Sequence, residues 1–178
     1  MSDQVLPVSY SKTLKILIRY AVVMAVFGLL IGVSYQESAH KLTHAAAPDG
    51  LRLQATLPLA LVHGHVLTMG VLLPLALAGA LVLALKAGGS AVGSRMLAVL
   101  TRGFLPFVAA SIALQLFKGY FILLSVRNGQ LDMGAVDAAF MAGSSSLRYV
   151  VYALVHSGMG ISLGIFLVGL WRSLGRKA

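Results

Sequence analysis

The chain has 178 residues, of which 58% are hydrophobic and only 11% are charged. A soluble domain of this length has about 25% charged residues, so the composition excludes an ordinary soluble domain and predicts a single transmembrane domain over residues 1–178. The net charge of +9 does not indicate nucleic-acid binding, because the basic residues stand at the ends of apolar runs, as membrane anchors do.

Four apolar runs are each long enough to cross a hydrocarbon core as a helix, which takes about 20 residues. They are predicted at Leu14–Tyr35, Leu57–Lys86, Met96–Val126 and Leu147–Trp171. The second and third runs exceed this minimum, so we expect them to tilt or to continue as helix beyond the lipid. The predicted fold class is therefore all-α, an integral membrane four-helix bundle.

Prolines mark three places in the second and third runs. Pro58 fits the start of a helix, because proline is favoured in the first helical turn. Pro74 and Pro106 lie inside their runs and are expected to bend the helices, which membrane helices tolerate when neighbouring groups satisfy the freed carbonyls.

The basic residues predict the orientation, because short cytoplasmic loops carry an excess of Lys and Arg. One side has nine of them: Lys12, Lys15, Arg19, Lys86, Arg95, Arg102, Arg172, Arg176 and Lys177. The other side has four: Lys41, Arg52, Arg127 and Arg148. Both termini are therefore predicted to be cytoplasmic, with a short inner loop at Ala87–Arg95 and larger outer loops at Gln36–Thr56 and Arg127–Ser146.

The short run His63-Gly64-His65 places two imidazoles inside the second apolar run. Ionisable side chains at membrane depth are expensive and mark functional sites, and imidazole is a common ligand of haem iron and of other metals. Because the chain has no cysteine, a haem would be held by coordination and packing alone. The run therefore predicts a cofactor held within the bilayer.

Polar residues of three predicted helices fall in one layer. His63 and His65 lie roughly 9–12 Å below the outer end of their helix, and His156 lies roughly 13 Å below the outer end of the fourth, at about 1.5 Å per residue. Lys118 and Gln115 lie about 12–16 Å from the outer end of the third. A random scatter of polar residues would rarely share one depth, so this layer indicates a site.

His63 and His65 point about 160° apart on a helix, so they cannot together chelate one ion and are expected to serve different neighbours. Three interpretations are open: haem ligation by His63 and His65 with His156 as the alternative ligand, a proton or ion path, or neutral histidines bonded to adjacent helices. His40 and His44, four residues apart in the first outer loop, could bind zinc or copper if helical, although a solvated loop is the favoured interpretation.

The run His63-Gly64-His65-Val66-Leu67-Thr68-Met69-Gly70 resembles a helix of the catalytic subunit of the heme-copper oxidase superfamily, in which a His-x-His pair ligates two different haems. The chain also resembles a family of small four-helix bacterial membrane proteins of uncharacterised function. These resemblances imply haem b, a role in electron transfer, quinol chemistry or diatomic-gas handling, and a place in the bacterial inner membrane. Oxygen reduction is not implied, because the chain lacks the His-His pair of the oxidase copper site.

The oxidase subunit resembles three four-helix arcs around a pseudo-threefold axis. This implies a homo-oligomer of the present chain, a homotrimer with haem between His63 of one copy and His65 of the next. Anionic propionates would lie near the wet outer edge, where the candidate cationic partners are Lys118, Arg148, Arg127 and Arg52. The alternative functions are a small transporter or channel with a histidine proton relay, and a non-enzymatic assembly subunit.

Overall fold

The computed structural model describes residues 6–42 and 49–175. The helices in these ranges are α1 (Val8–Leu42), α2 (Gly50–Lys86), α3 (Ser94–Arg127), the short α4 (Met133–Ala139) and α5 (Ser145–Leu174). The described residues form no strand, and α1, α2, α3 and α5 are long and apolar enough to cross a membrane. The predicted all-α membrane bundle is confirmed.

Two helices extend further than the apolar runs from which they were predicted. Helix α1 continues past Tyr35 to Leu42, and α2 begins at Gly50, well before Leu57. The predicted outer loop Gln36–Thr56 is therefore wrong for most of its length, and Pro58 lies inside α2 instead of starting it. The reason is that hydropathy marks only the part of a helix that suits hydrocarbon, whereas backbone hydrogen bonding continues into polar sequence.

Both interior prolines follow a widened helical turn. Residues Val66–Leu72 in α2 and Val99–Phe104 in α3 are π-helical. The amide of Leu73 donates to the carbonyl five residues earlier, and so does the amide of Leu105. Proline has no N–H and its ring clashes with the carbonyl four residues back, so the wider turn accommodates Pro74 and Pro106 without breaking the helix.

The 87–93 connection joins one end of the bundle together. The amide of Val92 donates to the hydroxyl of Tyr10 at 2.7 Å, and the amide of Ser90 donates to the carbonyl of Ser173 at 2.9 Å. The first turns of α1 and the last turn of α5 therefore lie at the same end as the α2–α3 connection; we call this the connection end and the other the histidine end. That the connection end is cytoplasmic stays a prediction.

The 128–144 connection folds back onto the histidine end. Asp132 caps α4 by accepting hydrogen bonds from the amides of Gly134 and Ala135. The side chain of Phe140 is fully buried, with its ring centroid 5.3 Å from that of Phe117 and 5.4 Å from that of Phe121 on α3. Burial of one large aromatic ring therefore fixes the position of α4 over the bundle.

The four long helices are covered unequally. In α3, 39% of the most apolar stretch is buried within the chain, whereas in α5 the share is 11%. Gly28 of α1 allows close packing of α2, because a Cβ there would lie 3.1 Å from a methyl group of Val66. At Gly160 of α5 an added Cβ would meet no atom of the described residues within 4 Å. Helix α5 thus presents most of its surface to lipid or to another chain.

We expect Phe140→Ala to destabilise the protein by about 3 kcal/mol, because truncation of a fully buried Phe removes its contacts and leaves a cavity. Leu131→Ala in the same connection removes an exposed side chain and is expected to change stability by less than about 0.5 kcal/mol. Thermal unfolding in detergent, followed by circular dichroism, measures both. Equal effects of the two substitutions would contradict the anchoring role of Phe140.

Candidate intramembrane histidine site

His63 lies on the face of α2 that packs against α1. Its Nδ1 is 2.9 Å from the carbonyl oxygen of Gly28, and because a carbonyl can only accept, the Nδ1 nitrogen carries the hydrogen. A Cβ added at Gly32 would lie 2.9 Å from the His63 ring. The imidazole therefore fills the space that Gly28 and Gly32 leave, and these glycines pack α1 against α2 within the chain.

His65 and His156 lie on exposed faces of α2 and α5 and are oriented in the same way. The Nδ1 of His65 donates to the carbonyl of Leu61 at 2.7 Å, and the Nδ1 of His156 donates to that of Tyr152 at 2.9 Å. Each bond runs back one turn along the histidine's own helix. In the neutral form of each imidazole, therefore, Nε2 is the nitrogen with a lone pair.

The rings of His65 and His156 line one cleft of about 190 Å³ between α2, α3 and α5. The other lining residues are Met69, Val108, Ser111, Ile112, Gln115 and Met159. Gln115 donates to the hydroxyl of Ser111 at 3.3 Å. The structure thus brings together three residues of the predicted polar layer, His65, Gln115 and His156, in a cleft whose other lining residues, apart from Ser111, are apolar. It places His63 on a different face of α2, as the helical angle predicts.

Lys118 reaches out of the layer to the surface. Its Nζ lies 2.8 Å from one carboxylate oxygen of Asp137 in α4, and Arg148 of α5 lies 3.2 Å from the other. Arg148 also donates to the backbone carbonyl of Asp137 at 2.6 Å. Lysine can keep its aliphatic stem among apolar groups while its ammonium reaches water, and here the position of α4, fixed by Phe140, supplies the anion.

The carboxyl of Asp137 has a lowered pKa. The hydrogen bond from Lys118 is the largest cause, and the positive charges of Lys118 and Arg148 add to it. Asp137 therefore stays ionised at any pH near neutral, and its charge holds the two cations beside the first turn of α5, at the histidine end.

Tyr152 connects the cleft with this ionic cluster. Its ring stacks on that of His156, with centroids 5.9 Å apart and planes 18° apart, and its hydroxyl is close enough to interact electrostatically with Lys118, Asp137 and Arg148. The hydroxyl is buried, and no group of the described residues hydrogen-bonds to it. Tyr152 is therefore a neighbour of both the His156 ring and the ionic cluster.

The imidazole nitrogens of the cleft suit a haem iron better than a zinc ion. No group of three or more His, Cys, Asp or Glu residues in ranges 6–42 and 49–175 could hold a metal ion together, so the three or four protein ligands of a zinc site are not met there. His65 and His156, on different helices and each with Nδ1 already bonded to a carbonyl, are the side chains of this cleft that could hold a haem iron through Nε2. The cleft is smaller than the 300–1,000 Å³ of typical ligand pockets, so one chain would enclose only part of a haem.

Sequence reasoning missed three residues of this region. Ser111 and Tyr152 each lie four residues before a predicted polar residue, Gln115 and His156 respectively, and this i, i+4 spacing was the available signal. Asp137 had no such signal, because its place beside Lys118 depends on how the connection folds. His40 lies in α1 and not in a loop, so the favoured loop interpretation is wrong for it. His44 lies outside the described residues, and metal binding by the pair, the less favoured interpretation, is not tested.

The chain is similar to the glutathione-regulated potassium-efflux system protein KefC of Enterobacter sp. (strain 638), with 32% identity over 124 residues, or 68% of this chain. It spans about a fifth of the length of that relative, 20%. No family model matches the chain, and no solved structure matches it. The four apolar helices and this relative support a multi-pass bacterial membrane protein.

We expect Asp137→Asn to lower the free energy of unfolding by about 1 kcal/mol at pH 7, since each exposed ion pair contributes roughly 0.2–1 kcal/mol. The pKa is lowered in the folded state, so the stabilisation is complete above the ordinary value of 3.8 and is lost as the pH falls through the lowered value. Thermal unfolding of both proteins across this range measures the effect.

The matched control is Asp132→Asn, which keeps an N-cap on α4, since Asn and Asp cap equally well. It should leave the stability at pH 7 almost unchanged. A difference between Asp137→Asn and the native chain that persists undiminished below pH 3.8 would show that the ion pairs are not its cause.

Proposed function

We propose that this protein binds b-type haem through His65 and His156 and serves in electron transfer in the bacterial inner membrane. One observation carries the proposal: both imidazoles line the same intramembrane cleft, and both use Nδ1 to bond a backbone carbonyl, which leaves Nε2 free. Metal-ligating histidines almost always make such a second bond, because it fixes the tautomer and raises the basicity of the ligating nitrogen.

The cations of the outer cluster support the same ligand. Arg148 lies eight residues before His156, about 12 Å further toward the outer end of α5, and Lys118 lies beside it on Asp137. Both can donate to carboxylates, and the propionates of a haem are carboxylates that prefer the wet edge of the membrane. In the chain alone, Asp137 holds these cations close to the position where the proposed ligand needs them.

A second copy of the chain would complete the site. His65 and His156 are both exposed on the single chain, and α5 is the least covered of the four long helices described. We therefore propose a homo-oligomer in which a neighbouring copy covers the open side of the cleft. The homotrimer, the sharing of haem between His63 and His65 of different copies, and the resemblance to heme-copper oxidases stay predictions.

A bound haem would supply one-electron redox chemistry. The chain's own residues would set its conditions. Met69, Val108, Ile112 and Met159 give the cleft apolar walls, Gln115 and Ser111 offer hydrogen bonds, and Tyr152 supports the His156 ring. If both imidazoles hold the iron, electron transfer would be favoured over gas binding, and a quinol is the membrane-soluble donor we propose.

The purified protein is expected to show a Soret band and a positive pyridine-haemochrome assay for haem b. His65→Ala and His156→Ala should each lower bound haem by more than about tenfold, since even loss of a residue that only orients a ligand lowers metal affinity 10–100-fold. His63→Ala is the matched control, since His63 donates to Gly28 on another face. Circular dichroism checks that each variant stays folded.

Colourless native protein that does not take up added hemin would overturn haem binding. If His63→Ala loses haem while His156→Ala keeps it, the ligands are the pair His63 and His65, and the proposed pair is wrong.

The second candidate function is ion transport, which the similarity to a potassium-efflux system protein favours. Such a function would use the polar groups of the cleft together with Tyr152 and the ion pair of Lys118 and Asp137. We expect liposomes that contain the protein to release trapped K⁺ faster than protein-free liposomes, and His65→Ala to slow this release. Equal rates with and without protein would exclude this function.

A further inference from the structure

A second, larger groove lies at the connection end, away from the histidine cleft. It has a volume of about 630 Å³, within the range of ligand pockets, and runs along α5 beside the 87–93 connection. Ser90 and Met96 lie on one side, and Ile161, Ile165, Val168 and Arg172 of α5 lie on the other. Gly164 leaves the floor open, because an added Cβ would meet no described atom within 4 Å.

The groove changes from apolar to polar along its length. From Ile161 to Arg172 it follows twelve residues of α5, and the eleven steps between them rise about 17 Å at 1.5 Å per residue, which is close to half of the roughly 30 Å hydrocarbon core. The deep part is lined by Ile161, Ile165 and Val168, and the guanidinium of Arg172 lies at the shallow end. This gradient matches a molecule with a long apolar chain and a polar head at the membrane surface.

The charge at the shallow end selects the head. The hydroxyls of Ser90 and Ser173 already donate to backbone carbonyls, so Arg172 is the donor left for a ligand. No carboxylate of the described residues pairs with Arg172. The described acidic residues Glu37, Asp49, Asp132 and Asp137 belong to the histidine end. At the connection end, the described basic residues are Lys12, Lys15, Arg19, Lys86, Arg95, Arg102 and Arg172.

We propose that this groove is a binding site for one anionic glycerophospholipid, with an acyl chain along α5 and the phosphate at Arg172. The guanidinium of Arg172, which pairs with no carboxylate of residues 6–42 and 49–175, and the surrounding positive charge favour a phosphate, since arginine forms strong charge-assisted hydrogen bonds with it. A quinone has the long chain but an uncharged head, and it would leave Arg172 without an anion. The phospholipid is therefore the occupant that satisfies both ends of the groove.

Trp171 provides a native reporter. It is the one tryptophan of the sequence, it adjoins Arg172, and 79% of its surface is exposed. The protein is reconstituted into vesicles of brominated phosphatidylglycerol or brominated phosphatidylcholine, each mixed with unlabelled phosphatidylcholine at several mole fractions. Bromine quenches tryptophan fluorescence on contact, so the quenching curves give the relative affinity of the two lipids for this position.

For the native chain, phosphatidylglycerol should show about fivefold higher relative affinity, the effect expected of one basic residue at an anionic membrane surface. Arg172→Gln should bring the ratio close to one. Gly164→Leu should fill the groove and weaken quenching by acyl-brominated phosphatidylglycerol. Gly160→Leu, one turn away, enlarges α5 where there is also open space but outside the groove, and should leave the curves unchanged.

Equal quenching by both lipids in the native chain would overturn the proposal. So would Gly164→Leu and Gly160→Leu having the same effect, because the groove would then play no part. A greater loss of quenching on addition of ubiquinone than on addition of the same mole fraction of unlabelled phosphatidylglycerol would assign the groove to a quinone instead.

Discussion

A hydrogen-bond donor placed in hydrocarbon must find an acceptor, because no water is present to satisfy it. This constraint organises the middle of the bundle. The carbonyls of an α-helix are the nearest acceptors, and His63, His65 and His156 each donate Nδ1–H to one of them. His63 uses a carbonyl of another helix and thereby joins α1 to α2. His65 and His156 use their own helices, which leaves their rings on the surface of the cleft.

The same requirement for partners separates the two ends of the molecule. At the histidine end, the buried ring of Phe140 brings Asp137 of α4 to Lys118 and Arg148, so these two cations have an anion within the chain. At the connection end, Arg172 has no anion among the described residues. Lys118 and Arg148 are therefore paired within the chain, whereas Arg172 is available to a ligand or to lipid headgroups.

The widened turns before Pro74 and Pro106 show how the helices keep their course through the membrane. The turn in α2 begins directly after His65 and includes Met69, another residue of the cleft. Such turns are frequent at functional sites because they change the angular spacing of neighbouring side chains. The backbone adjustment that accommodates the proline therefore also sets the direction of side chains that line the cleft.

The sequence by itself determined the membrane class, the four spanning helices, the layer of polar residues and the opposed directions of His63 and His65. These depend on composition, on a rise of 1.5 Å per residue and on 100° per residue, which are local properties. It also predicted that the prolines disturb α2 and α3, but it misplaced the helix ends, because polar sequence beyond the lipid stays helical.

Only the tertiary structure decided which neighbours these residues meet. Gly28 accepts from His63, the cleft pairs His65 with His156, Asp137 holds Lys118, and the groove ends at Arg172. Each of these contacts joins residues that are distant in sequence, or depends on how a connection folds over the bundle. Periodicity fixes the face of a helix that a residue occupies, but packing fixes which helix lies opposite, and no local property of the chain contains that information.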